Sequence, residues 1–209
     1  MSELRKDPVV DQWVIISPKR GERRGAFRRI RQMDEEEQSG QCPFCSGNEG
    51  QTPPEILAYR KKGTGPDEPG WRIRVFPNKY PALEKTQKLI KKSRGIYEVM
   101  SGIGSCEVIV ETPGHGVSIF DLSIDYVSDL IRVYRDRIID LTKDPRFQYV
   151  LVLKNEGFLA GSSIDHAHSQ IIATSVVPKR VEEELSGAKK HYQHTNKCIF
   201  SPSYPDSWF

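Results

Sequence analysis

One stretch of this chain reads as a helix, and strand-like runs stand on both sides of it. Val127, Leu130, Ile131, Tyr134, Ile138 and Leu141 recur at the three- and four-residue spacing that gathers apolar side chains on one helical face. Ser123 is placed to cap the first turn, and Asp125 suits the positive end of the helix dipole. Asp144-Pro145 ends the pattern, because proline cannot continue a helix. Ahead of it, residues 13–16, 72–76 and 107–111 read as strands, with a Gly/Pro-rich loop at 63–70. After it, residues 149–153 read as a buried strand and residues 171–176 as another. Beyond Pro178 a polar helix is expected over 181–192. Strands before and after one long helix define an α+β fold with an antiparallel sheet. The 209 residues suffice for a domain with a sizeable core.

Charge and composition exclude several roles. The net charge is +3, with both signs mixed along the chain, which gives no electrostatic case for nucleic acid. No apolar run is long enough to span a membrane, and Met1-Ser-Glu-Leu-Arg-Lys-Asp7 has no apolar signal core, so a cytoplasmic location is expected. Residues 21–40, basic and then acidic, read as a solvated surface segment. Without an export signal, the four cysteines do not suggest a disulfide framework. Cys106, beside Val108-Ile109-Val110, reads as a small core residue, and Cys198 carries no signal by itself.

The chemistry concentrates in Gly161-Ser-Ser-Ile-Asp-His166-Ala-His168-Ser-Gln170. Residues two apart on a strand point the same way, so two imidazoles share one side just after a Gly/Ser turn. Such a pair suits a metal site, a phosphate site or both. Zinc takes four nitrogen or sulfur ligands. Cys42 and Cys45, as C-x-x-C, offer two, and His115 and His166 are the best candidates to complete the set. His191 and His194 are a competing pair, and a redox pair or two core cysteines are the alternative readings of the C-x-x-C. If His166 is tied to metal, His168 is left for chemistry. A neutral imidazole can attack phosphorus, provided an acceptor such as a backbone carbonyl orients its other nitrogen. Gly161, Ser162 and Ser163 let a phosphate approach the backbone, and Gln170 falls on the same strand side as His168.

Taken together, these segments resemble a known family. Asn155-Glu-Gly157, Gly161-Ser-Ser163 and His166-Ala-His168-Ser-Gln170 are similar to the active-site segment of galactose-1-phosphate uridylyltransferases, members of the histidine triad superfamily. Arg5-Lys-Asp-Pro8 with Trp13-Val-Ile-Ile-Ser-Pro18, Cys42-Pro-Phe-Cys45, Pro77-Asn-Lys-Tyr-Pro81 and Glu107-Val-Ile-Val-Glu-Thr-Pro113 resemble further family segments in the same order. The resemblance implies a histidine-triad-like fold over residues 1–200, the first of the family's two repeats, followed by an atypical tail at 201–209. It implies zinc on Cys42, Cys45, His115 and His166, and His168 as nucleophile. Ser163 and Gln170 would bind phosphoryl oxygens, with Asn155 and Gly161 nearby; Asn78 would face the nucleoside and Arg20 would reach a phosphate. The implied substrates are a UDP-hexose and a hexose 1-phosphate, exchanged through a uridylyl-histidine, and family members form homodimers. Ala167 departs from the proline many members carry between the histidines. The second repeat, which helps build the hexose site, is not within these residues. An ADP-glucose phosphorylase of the same family, a histidine triad hydrolase and a non-catalytic zinc module are the other readings. Triad hydrolases have a third histidine where Gln170 stands. Glutamine cannot pass a proton to a leaving group, which favours transfer over hydrolysis.

Overall fold

The computed structural model describes residues 1–18, 42–86, 88–162 and 164–201. The charged segment 21–40, Arg20, Ser163 and nearly all of the tail at 201–209 thus lie outside the described residues. Among the described residues are nine strands and two α-helices: β1 (Glu3–Lys6), β2 (Trp13–Ile16), β3 (Leu57–Arg60), β4 (Trp71–Pro77), β5 (Lys91–Arg94), β6 (Tyr97–Ser101), β7 (Gly104–Val110), α1 (Ile124–Leu141), β8 (Tyr149–Leu153), β9 (His168–Thr174) and α2 (Lys179–Thr195). They form two antiparallel sheets, with strand orders β2-β1-β6-β5 and β3-β4-β7-β9-β8. The class is α+β, as expected, but the one expected sheet is two.

The larger sheet carries the site, and its alternation sets which side chains go where. On one face Ile73 and Val75 of β4, Ile109 of β7, and Ile171 and Ala173 of β9 meet Leu130, Val133 and Leu141 of α1. Each such buried aliphatic side chain contributes roughly 1.5–3 kcal/mol before chain entropy is counted. On the other face Phe76, Val108 and Val110 pack with Phe44 and the two cysteines at 42 and 45. Cys106 packs with Ala82 and Leu83 in a third small cluster.

Helix α1 begins as its sequence demands, with Ser123 Oγ accepting from the Tyr126 backbone N–H. Its buried face is Leu130, Val133, Arg137 and Leu141, and Ile131 is 56% exposed. The apolar stripe is therefore rotated from the one read in the sequence. A charged residue, Arg137, belongs to the buried face, because its Nε and Nη2 donate to both oxygens of buried Glu107 on β7 at 2.8 and 2.9 Å. Strand β8 also corrects the reading. Among the described residues it is an edge strand paired only with β9, half-buried except for exposed Leu151, where a buried strand was expected. An edge strand has a neighbour on one side, so apolar content alone does not bury it. Helix α2 has no buried residue.

Candidate functional site

The site lies at the end of the larger sheet where two strands leave and one enters. Val110, the last residue of β7, pairs with His168, the first of β9, and Leu153, the last of β8, pairs with Gln170. The segments following β7 and β8 and preceding β9 therefore converge. The pairing continues past β7, with the Glu111 N–H donating to the Ala167 carbonyl at 3.1 Å. This bond sets the backbone between the two histidines. A cavity of about 200 Å³ opens there, lined by residues 116–118, 154–157, Ser162 and 164–168. Gly157 (φ 77°) and Gly161 (φ 82°) both take the left-handed conformation that a side chain resists, and the Ser162 N–H donates to the Gly157 carbonyl.

Both histidines are backed by a main-chain carbonyl. His168 Nδ1 is 2.7 Å from the His166 carbonyl oxygen. A carbonyl only accepts, so Nδ1 carries the proton and Nε2 keeps its lone pair. His166 Nε2 is 2.8 Å from the Thr112 carbonyl, which by the same argument leaves Nδ1 as its free donor atom. Burial holds both imidazoles below their ordinary pKa, and the backbone bond opposes this in each. The neutral form, the one that can attack or ligate, is thereby favoured. Phe44 makes a T-shaped contact with each, its centroid 5.2 Å from that of His168 and 6.2 Å from that of His166.

His166 Nδ1 stands 3.6 Å from the sulfurs of Cys42 and Cys45, and His115 Nδ1 stands 3.6 Å from Cys45 Sγ. The four donor atoms all lie within 4.8 Å of one another, a cluster that could hold a metal ion. Burial, with the neighbouring Cys42 adding to it, pushes the Cys45 thiol up to about 11, so releasing that proton needs a cation close by. The turn carrying the cysteines is tied down by its own residues. The Asn48 side chain donates to the Cys42 carbonyl at 2.8 Å. Buried Glu49 accepts from the Gly47 N–H and, at 2.6 Å, from Trp71 Nε1 on β4.

Of the residues singled out in the sequence, Cys42, Cys45, His115 and His166 come together in the donor cluster, and Asn155, His166 and His168 line the cavity. Gln170 lies two residues along β9 from His168 on the same side but is not among the lining residues, nor is Gly161. Asn78 sits in the turn after β4, where its Oδ1 accepts from the Tyr80 N–H at 2.9 Å. Arg20 and Ser163 lie outside the described residues. His191 and His194 lie on α2 and take no part in the donor cluster. Sequence reading missed Lys154, Glu111, Tyr134 and Ser169, which form a polar network beside the cavity. Lys154 Nζ contacts Glu111 Oε2 at 2.6 Å, Ser169 Oγ donates to Glu111 Oε1, and the Tyr134 and Ser169 hydroxyls are 2.6 Å apart. Glu111 and Ser169 lie inside segments that carry the resemblance, and Lys154 stands directly before Asn155, but nothing in the sequence joins them.

The site thus sets an imidazole nitrogen that keeps its lone pair beside a largely buried four-donor cluster, and such a nitrogen can act chemically as a nucleophile or a base. The family model for the galactose-1-phosphate uridyl transferase N-terminal domain matches residues 1–178, and the chain belongs to that family. An ADP-glucose phosphorylase of Arabidopsis thaliana is 35% identical over 199 residues, covering 94% of this chain and 55% of that protein. A galactose-1-phosphate uridylyltransferase of Thermotoga maritima is 29% identical over 199 residues, covering 95% and 54%. Among solved structures, an A. thaliana ADP-glucose phosphorylase with bound ADP-glucose superposes with a TM-score of 0.64 at 31% identity, over 95% of this chain and 56% of that one. A uridylyltransferase superposes with a TM-score of 0.69 at 28% identity, over 94% and 53%. The chain spans about half the length of the curated relatives it matches. No helix among the described residues is long and apolar enough to cross a membrane.

Proposed function

We propose that this chain carries the nucleotide-transferring half of a hexose-1-phosphate uridylyltransferase, which converts UDP-glucose and galactose 1-phosphate to glucose 1-phosphate and UDP-galactose. The observation that carries the reading is the 2.7 Å bond from His168 Nδ1 to the His166 carbonyl, which leaves Nε2 its lone pair on a ring that lines the cavity. In the first half-reaction His168 Nε2 donates its lone pair to the α-phosphorus of the nucleotide sugar. The bond from that phosphorus to the bridging oxygen breaks, and hexose 1-phosphate leaves with the electron pair. The Nδ1 proton stays in place, and the His166 carbonyl offsets the positive charge that develops on the ring. A phosphate oxygen of the second hexose 1-phosphate then attacks the same phosphorus, and the electrons of the P–N bond return to Nε2. Gln170 holds a phosphoryl oxygen without supplying a proton, so water is a poor second acceptor. Asn155 and Gly161 contribute to phosphate binding, Ser163 and Arg20 add donors, and Asn78 faces the nucleoside.

Zinc is the proposed ion for the cluster of Cys42, Cys45, His115 and His166. Two thiols and two imidazoles form a donor set that zinc favours. A tetrahedron with Zn–S near 2.3 Å and Zn–N near 2.05 Å has an S···N edge of about 3.6 Å. The three thiol–imidazole distances found are 3.6 Å. A bound zinc would cross-link the cysteine turn to the segment that enters β9, and so would fix the register of His168. The four described cysteines are free thiols, which suits a cytoplasmic protein; a homodimer is the assembly proposed with it.

A second reading has its own support. The 35% identity to an ADP-glucose phosphorylase favours an adenylyl group, moved from ADP-glucose to inorganic phosphate by the same histidine. Intact-mass measurement after incubation with UDP-glucose or with ADP-glucose decides between them. A uridylyl adduct from the first alone supports the transferase, and an adenylyl adduct from the second alone supports the phosphorylase. No adduct from either refutes both.

A further inference from the structure

The buried network beside the cavity contains a lysine whose two partners differ in kind. Glu111 is fully buried, and three groups converge on it: Lys154 Nζ at 2.6 Å, the Tyr134 hydroxyl at 3.3 Å and the Ser169 hydroxyl. A carboxylate so enclosed needs its countercharge, which binds the ammonium to that spot. The second partner of Lys154 is Glu156 Oε2 at 3.3 Å, and this carboxylate is 45% exposed. Its other oxygen accepts from Ser118 Oγ at 2.8 Å. One ammonium is thus shared by a permanent partner below and a replaceable one at the rim.

The charge balance of the cavity makes that sharing consequential. Among the described lining residues Lys154 is the only cation, while Glu156 and Asp165 are acidic. A diphosphate is repelled by such a lining unless the ammonium turns to it. Exchanging the Glu156 oxygen for a phosphoryl oxygen conserves the number of ion pairs and releases a carboxylate already half in water. Glu111 keeps the ammonium in position throughout.

We infer that Lys154 binds a phosphoryl oxygen of the nucleotide sugar, and that Glu156 is the carboxylate which that oxygen displaces. The identity of the anion rests on the function proposed above; the exchange itself rests on the geometry of Lys154, Glu111 and Glu156.

The test is calorimetric titration of the 209-residue chain with UDP-glucose and with ADP-glucose. Wild type is compared with Glu156→Gln, Lys154→Met and Lys154→Arg. Glu156→Gln removes the competitor and tightens binding roughly two- to fivefold, the worth of an exposed ion pair. Lys154→Met weakens binding about tenfold or more, the worth of a charge-assisted bond, and Lys154→Arg keeps most of it. Because Lys154→Met strips Glu111 of its countercharge, that variant can fail to fold. Glu156→Gln leaves the buried pair whole and gives its answer regardless. Unchanged or weaker binding by Glu156→Gln overturns the inference, and so does a wild type that binds neither nucleotide sugar. Adduct formation on His168 is scored separately by mass. A wild type that binds but forms no adduct refutes the proposed function and leaves the Lys154 assignment standing. A Lys154→Met chain that labels with unaltered concentration dependence refutes the Lys154 assignment alone.

Discussion

Replacing Arg137 with methionine isolates the one charged residue on the buried face of α1. Arg137 and Glu107 have side-chain exposures of 7% and 1%, and two parallel bonds of 2.8 and 2.9 Å join them. In the Arg137→Met chain Glu107 keeps only the Ser105 hydroxyl at 3.4 Å and Lys85 at 3.8 Å, whose own side chain is 49% exposed. Neither supplies a close buried countercharge. Breaking a buried pair from one side costs about 3–5 kcal/mol, a large part of the roughly 5–15 kcal/mol that holds a domain folded. At roughly 2–4 °C per kcal/mol for a chain of this size, the melting temperature falls by about 6–20 °C. Pairing Arg137→Met with Glu107→Leu removes both charges and restores stability to within about 2 kcal/mol of wild type. Thermal melts followed by circular dichroism, with urea midpoints as a second readout, test both statements. A single variant that melts within about 2 °C of wild type, or a double variant no better than the single, would show that the pair does not clamp the helix to β7. Glu107 pairs across to Ile171, three residues along β9 from His168, so the clamp also bears on the site.

Other outcomes follow from the same geometry. Zinc-loaded wild type is expected to carry one equivalent by atomic emission, and Cys42→Ser far less; chelation should lower the urea midpoint of wild type and barely move that of the variant. Folding holds His166 and His168 below their ordinary pKa of 6.5. Between the folded and unfolded values the unfolded chain therefore binds more protons. In metal-free protein, stability should fall as pH drops below about 6.5 and level off once both states are protonated. Urea midpoints at pH 7.5, 6.5 and 5.5 check this, and His168→Asn should show a shallower slope. Gln170→His places a proton carrier on the strand side that His168 occupies. Once loaded, its adduct should decay in water about tenfold or more faster than wild type, read by mass over time.

The parts of the fold legible in the sequence are those with a local cause. The existence of α1, its Ser123 cap and the strand-like runs at 72–76 and 107–111 follow from spacing that a few neighbouring residues reveal, though not which face of α1 is buried. Strand β5 is Lys-Lys-Ser-Arg, wholly exposed, and exists because β6 pairs with it. Strand β1 buries only Leu4, so four residues held no period to read. The burial of Arg137 has no local signal, because its partner is 30 residues away on β7. The site divides along the same line. Two cysteines and three histidines announce themselves by type. Glu111, Lys154 and Ser169 do not, since charged and hydroxyl residues are common and their contacts span 43 and 58 residues.

Intact-mass analysis of the chain after incubation with UDP-glucose, beside His168→Gly, most directly tests whether the unprotonated Nε2 of His168 is a nucleophile. Wild type should gain the mass of one uridylyl group, lose it on addition of hexose 1-phosphate, and yield a labelled peptide containing His168. His168→Gly should gain nothing while folding normally. A wild type that binds UDP-glucose and stays at its starting mass, or a His168→Gly chain that labels equally well, would contradict the account.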